Sequence, residues 1–180
     1  LSATSATNAW ALARTADGSM CLKCHEDIGK KVTAGKGLHG PVQKKDCLRC
    51  HEPHASVASH LLRSGGERAL CSSCHSDIEK ALAGKEKHTP FTAGSCTQCH
   101  DPHQSDMPKL VKAEPSRLCV TCHAQVLQEL RRPAVHSPAR DGNCVKCHGA
   151  HGGETAGLLV SPPTTLCVDC HSAIGKKISG

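Results

Sequence analysis

Seven times in this chain, two cysteines stand two residues apart with a histidine directly after the second. The motifs are CLKCH at 21–25, CLRCH at 47–51, CSSCH at 71–75, CTQCH at 96–100, CVTCH at 119–123, CVKCH at 144–148 and CVDCH at 167–171. They use every cysteine: Cys21, Cys24, Cys47, Cys50, Cys71, Cys74, Cys96, Cys99, Cys119, Cys122, Cys144, Cys147, Cys167 and Cys170. The chemistry that needs this spacing is covalent haem attachment. Two thiols add across the vinyl groups of one haem as thioethers, and the following histidine is held under the ring as an axial ligand of the iron. The proximal ligands are then His25, His51, His75, His100, His123, His148 and His171, and seven c-type haems are expected.

Other uses of paired cysteines fit poorly. A structural zinc site takes two such pairs and needs no histidine after each, and seven pairs cannot be shared out in twos. A disulfide framework would not put histidine after every second cysteine. A thioredoxin-like redox motif occurs once, beside a βαβ pattern.

Seven further histidines remain: His39, His54, His60, His88, His103, His136 and His151. Their number equals that of the haems, which is the count for two imidazoles on every iron. A lone histidine is ordinarily a solvated surface residue, but six of these recur at fixed places. His39-Gly40-Pro41, His88-Thr89-Pro90 and His136-Ser137-Pro138 share the form His-x-Pro, each eight residues before the next motif. His54, His103 and His151 each lie three residues after a motif histidine. At that spacing His54 and His51 project to one side, so His54 is not expected to close the haem of its own motif. On this reasoning His54, His103 and His151 serve odd-numbered haems, and His39, His88 and His136 serve the haems on His51, His100 and His148. His60 has no histidine counterpart, since Lys109 and Gly157 stand in its place. It completes the count, either within the chain or on a terminal haem of a neighbouring copy. The second case would join copies head to tail into a filament.

The elements that position these residues repeat as well. Cys21, Cys71, Cys119 and Cys167 are spaced by 50, 48 and 48 residues, and Cys47, Cys96 and Cys144 by 49 and 48. The spacing predicts an N-terminal arm (1–20), two-haem modules at 21–70, 71–118 and 119–166, and a single-haem half module at 167–180. Helices are expected after the odd-numbered motifs. His25, Ile28 and Val32 fall on one helical face, as do His75, Ile78 and Leu82, then His123, Val126 and Leu130, then His171, Ile174 and Ile178. An amphipathic helix ordinarily packs on a protein core. Because the first residue of each face is an iron ligand, these faces are expected to pack on haem. The even-numbered motifs run into proline or glycine and should sit on turns, and no strand alternation is evident.

Composition agrees. With one Trp, one Phe and no Tyr in 180 residues, the polypeptide is too poor in large apolar groups to build its own core. The expected fold class is mostly irregular with short α-helices and little or no β structure. It is an elongated chain of tandem two-haem repeats whose core is filled by haem.

Haem of this kind is attached after export, on the oxidising side of a bacterial or archaeal membrane. Residues 1–20 carry no continuous apolar segment, so Leu1 reads as a processed N-terminus, and no stretch approaches a membrane span. A periplasmic or extracellular place is expected. The formal charge of +6 is no sign of nucleic acid, because seven oxidised haems with ionised propionates bring it to about −1.

The stretch CSSCHSDIEKALAGKEKHTPFTAGSCTQCHDPH at 71–103 resembles the doubled-CXXCH multihaem c-type cytochromes. That group is similar to the pentahaem donors of nitrite reductase and the decahaem cytochromes of outer-membrane conduits. The likeness runs over about residues 21–171 and implies a row of haems carrying electrons between redox proteins. Seven haems match neither the five- nor the ten-haem type, so no particular partner is implied. Two imidazoles per iron leave no place for substrate, and outer-sphere electron transfer rather than catalysis is expected. The contrasting reading is a multihaem reductase with one open haem. Such enzymes usually depart from the regular attachment motif, and none of the seven motifs here does.

Overall fold

A computed structural model describes residues 18–63, 65–83 and 85–178. The arm expected over 1–20 therefore lies outside the described residues as far as residue 17. The chain divides into two units, Leu1–Leu70 with His100–Lys112, and Cys71–Cys99 with Ala113–Gly180.

Four helices follow the odd-numbered motifs, as their apolar spacing requires: α1 (Glu26–Ala34), α2 (Ser76–Ala81), α3 (Ala124–Glu129) and α4 (Ser172–Ile178). The proximal histidine is the N-cap residue of the first three, His25, His75 and His123. Glu26 and Asp27 lie in the first turn of α1 and Lys31 in its last, in the sense the helix dipole favours. Gly35, left-handed at φ 69°, ends it.

Each His-x-Pro sequence starts a single helical turn, over Gly40–Gln43, Thr89–Thr92 and Ser137–Arg140. His39, His88 and His136 are the N-cap residues, the first two extended, and the proline falls in the first turn, where its missing N–H costs nothing. Each turn ends on a left-handed residue: Gly94 (φ 74°), Gly142 (φ 71°) and, in the first copy, Lys45 (φ 55°). A side chain there costs about 1 kcal/mol relative to glycine. Lys45→Gly is therefore expected to stabilise its unit by about 1 kcal/mol, read as a higher urea midpoint. An unchanged midpoint would refute this account of the strain.

β structure is confined, among the described residues, to one two-stranded antiparallel sheet and isolated bridges. Strand β1 (Glu86–Lys87) pairs with β2 (Gly152–Gly153) in the second unit. Two-residue strands carry no alternation, so the sequence pattern could not signal them. The ladder continues as His88 N–H donates to the His151 carbonyl at 2.9 Å. The first unit repeats this link, with His39 N–H to the His103 carbonyl at 3.1 Å beside a Leu38–Gln104 bridge.

Among the described residues Leu82 is the one buried apolar side chain. The faces that include Ile28, Ile78 and Val126 are half-buried, and Ile174 is exposed. The described residues form short helices and tied turns but no apolar core of their own. No described helix is long and apolar enough to cross a membrane.

Candidate haem centres

The attachment motifs are single turns closed by the backbone. In the first, second, third, fifth, sixth and seventh, the histidine N–H donates to the carbonyl of the first cysteine at 2.9–3.0 Å. An i, i+4 closure puts the first thiol and the imidazole on one side of the turn. No motif cysteine is in a disulfide. Burial pushes the Cys47 thiol up, and its neighbour Cys21, within hydrogen-bonding reach, adds to this. Cys119 is raised in the same way, by burial and then by Cys144. The first and second attachment points are thus adjacent, as are the fifth and sixth.

Among the described residues, imidazoles lie close together in pairs. His51 and His103 have centroids 6.1 Å apart and planes inclined by 11°. His88 and His123 are at 6.1 Å and 20°, and His136 and His171 at 6.0 Å and 28°. Each pair joins one motif histidine to one of the seven others. A metal–imidazole bond of about 2 Å, with the ring centre about 1 Å beyond the nitrogen, puts two rings on opposite sides of one ion about 6 Å apart. Among the described residues no three or more His, Cys, Asp or Glu converge as a site for a bare ion. Two imidazoles at this spacing suit a metal that brings its own equatorial donors, as haem iron does. The residues present fit haem.

The pairing differs from the register expected from sequence. His103 faces the second motif, whereas an odd-numbered haem was expected for it. His88 and His136 face the fifth and seventh motifs, whereas even-numbered haems were expected. His103 cannot reach across the haem of its own neighbour His100. That restriction says nothing about the even-numbered motif one repeat earlier, and the His39–His103 backbone link carries it there. Among the described residues no imidazole faces His25, His60 or His148.

Hydrogen bonds orient the rings. His51 Nδ1–H donates to the His60 carbonyl at 2.9 Å, His100 to that of Lys109 at 2.9 Å, and His148 to that of Gly157 at 2.7 Å. His39 donates to the Pro102 carbonyl at 3.1 Å and His88 to that of Ala150 at 3.0 Å. An Nδ1–H bound to a carbonyl leaves Nε2 as the nitrogen with the free lone pair. The sequence reading missed these acceptors, and it offered His60 as an iron ligand. In the structure the backbone carbonyl of His60 serves His51, a task that Lys109 and Gly157 perform equally well. The signal was available: a constant nine-residue step from the motif histidine, followed each time by an apolar pair, Leu61-Leu62, Leu110-Val111 and Leu158-Leu159.

The His51–His103 site has further support. Asp101 accepts from the N–H groups of His103 (2.9 Å) and Gln104 (3.2 Å), and it is paired with Lys31 at 2.9 Å. Burial raises the Asp101 carboxyl, but Lys31 and the two N–H groups outweigh it and hold the group below its ordinary range. Burial lowers the basicity of His103, opposed by Asp101. In the second unit Phe91 lies against His151, with centroids 5.5 Å apart.

Paired attachment motifs, imidazoles opposed at haem spacing and a fold without a core of its own define a multihaem c-type cytochrome. The model of the doubled CXXCH motif family matches residues 39–80, 88–128 and 136–176, more than half of the chain, and the protein belongs to that family. Each matched window starts on the histidine of a His-x-Pro turn and joins an even-numbered motif to the odd-numbered one after it. The motif at 21–25 stands outside the windows. No curated protein matches the chain.

Proposed function

We propose that this protein is a heptahaem electron carrier, each haem bound through one Cys-x-x-Cys-His motif, passing electrons between redox proteins in the periplasm or outside the cell. The observation that carries this reading is the set of three imidazole pairs at 6.0–6.1 Å. Haem supplies a reversible one-electron iron couple. The protein's part is to close the iron so that it exchanges electrons rather than binds substrate. His51 with His103, His88 with His123, and His136 with His171 are the ligand pairs. His75 and His100 belong to centres closed like those of their repeat counterparts His123 and His51. The adjacency of Cys21 with Cys47 and of Cys119 with Cys144 supports close haem-to-haem steps from the first to the second and from the fifth to the sixth. The need to attach haem after export supports a place on the oxidising side of a membrane.

Haem content and carbon monoxide binding test this reading together. Intact mass should exceed that of the 18.9 kDa chain by seven haems. In the reduced protein, carbon monoxide should shift the spectrum of two haems in seven at most, those of His25 and His148. A response from more haems would overturn the closed-carrier reading, and a smaller haem count would overturn the heptahaem one.

A further inference from the structure

The acceptor carbonyls of His51, His100 and His148 belong to an unusual turn. His60 and Leu61 are both left-handed, at φ 57° and 55°, as are Lys109 and Leu110 at 57° and 57°, and Gly157 and Leu158 at 76° and 58°. Five of these six residues are not glycine, and a left-handed conformation costs such residues about 1–2 kcal/mol each. The same turn is nevertheless formed three times. The carbonyl of its second residue accepts from the residue after the motif: Leu61 from Glu52 N–H at 2.7 Å, Leu110 from Asp101 at 2.8 Å, and Leu158 from Gly149 at 2.7 Å. The carbonyl of its first residue is thereby free to meet Nδ1–H of the motif histidine.

The fifth motif lacks this device: among the described residues, Nδ1 of His123 meets no protein acceptor, and the ring that donates at that centre is His88, to the Ala150 carbonyl. An Nδ1–H donated to a carbonyl makes the imidazole a stronger electron donor through Nε2, which favours the oxidised metal and lowers the potential.

We propose that the left-handed turns at His60–Leu61, Lys109–Leu110 and Gly157–Leu158 are positioning elements. They hold the proximal imidazoles of the even-numbered haems as hydrogen-bonded ligands and so lower the potentials of those haems. This rests on the reading of the chain as a multihaem carrier.

The test uses the full haem-loaded protein and the third turn, where glycine can be changed with least ambiguity. Valine is strongly disfavoured at positive φ, so Gly157→Val should pull the carbonyl away from His148. Asparagine tolerates that conformation, and Gly157→Asn should leave the bond intact. In a spectroelectrochemical titration, one haem of Gly157→Val should become about tenfold more reduced at a fixed potential, equivalent to about 59 mV for a one-electron couple. Gly157→Asn should match the unmodified protein. Proton NMR supplies a second readout, as the His148 Nδ1 proton should exchange faster with solvent in the valine variant alone. Gly157→Thr, also β-branched, should shift the same haem in the same direction if the valine variant does not fold. Seven haems with no upward shift in the valine or threonine variant would overturn the proposal, as would an equal shift in the asparagine variant. A haem count below seven in the unmodified protein would instead overturn the heptahaem reading.

Discussion

Replacing His88 by glycine is expected to open the fifth haem, raising the carbon monoxide response of the reduced protein by one haem in seven. His88 lies opposite His123 at 6.1 Å, oriented by its bond to the Ala150 carbonyl. Glycine removes that ring, and the backbone at 88 is extended, so the His-x-Pro turn can persist. The iron keeps one imidazole, loses the other, and gains an open position. The loss of a donor should also raise the potential of that haem. Added imidazole should reverse both changes. A double variant identifies the haem. If His88 serves the haem on His123, then His88→Gly adds no further response once that haem has been removed by Cys119→Ala and Cys122→Ala. A full extra increment in that background would show that His88 serves another iron and would refute the pairing.

The second large effect is on stability. Removing Cys119 and Cys122 should cost the second unit more than about 4 kcal/mol, beyond the range of ordinary point changes. With Leu82 the one buried apolar side chain among the described residues, the polypeptide has little to hold it together once a haem is lost. The situation is that of a small metal-dependent domain, in which ligand binding and folding are one event. The effect should reach beyond the fifth centre, because Cys119 adjoins Cys144 and the sixth haem then loses a neighbour. Urea unfolding followed by circular dichroism would show an early, broad transition. Retention of the original midpoint and cooperativity would refute the dependence of this unit on its haem.

Much of this architecture was legible where the signal is local. The attachment motif is five consecutive residues, and the apolar face after His75 or His123 is read within two helical turns. The His-x-Pro sequence likewise states its own geometry, an extended N-cap followed by proline in a first turn. The partner of each proximal histidine was not legible in this way. His51 and His103 are brought together by a backbone link between His39 and His103, and no property of either histidine encodes that link. Periodicity showed that His88 and His136 are equivalent, but it is indifferent to whether both serve even-numbered or odd-numbered motifs. His60 shows a different gap. Its side chain drew attention because it completed a count, while the working group is a carbonyl, which every residue carries. Only the turn at 59–61, with its two left-handed residues, reveals the role.

The family windows 88–128 and 136–176 each contain both rings of one pair, His88 with His123 and His136 with His171. The pair His51 and His103 instead spans two windows, 39–80 and 88–128. A gene duplication that copies one window therefore adds one iron site complete in itself and one that borrows a ligand from the copy downstream. Chains built this way can lengthen by two haems at a time without orphaning the sites already made.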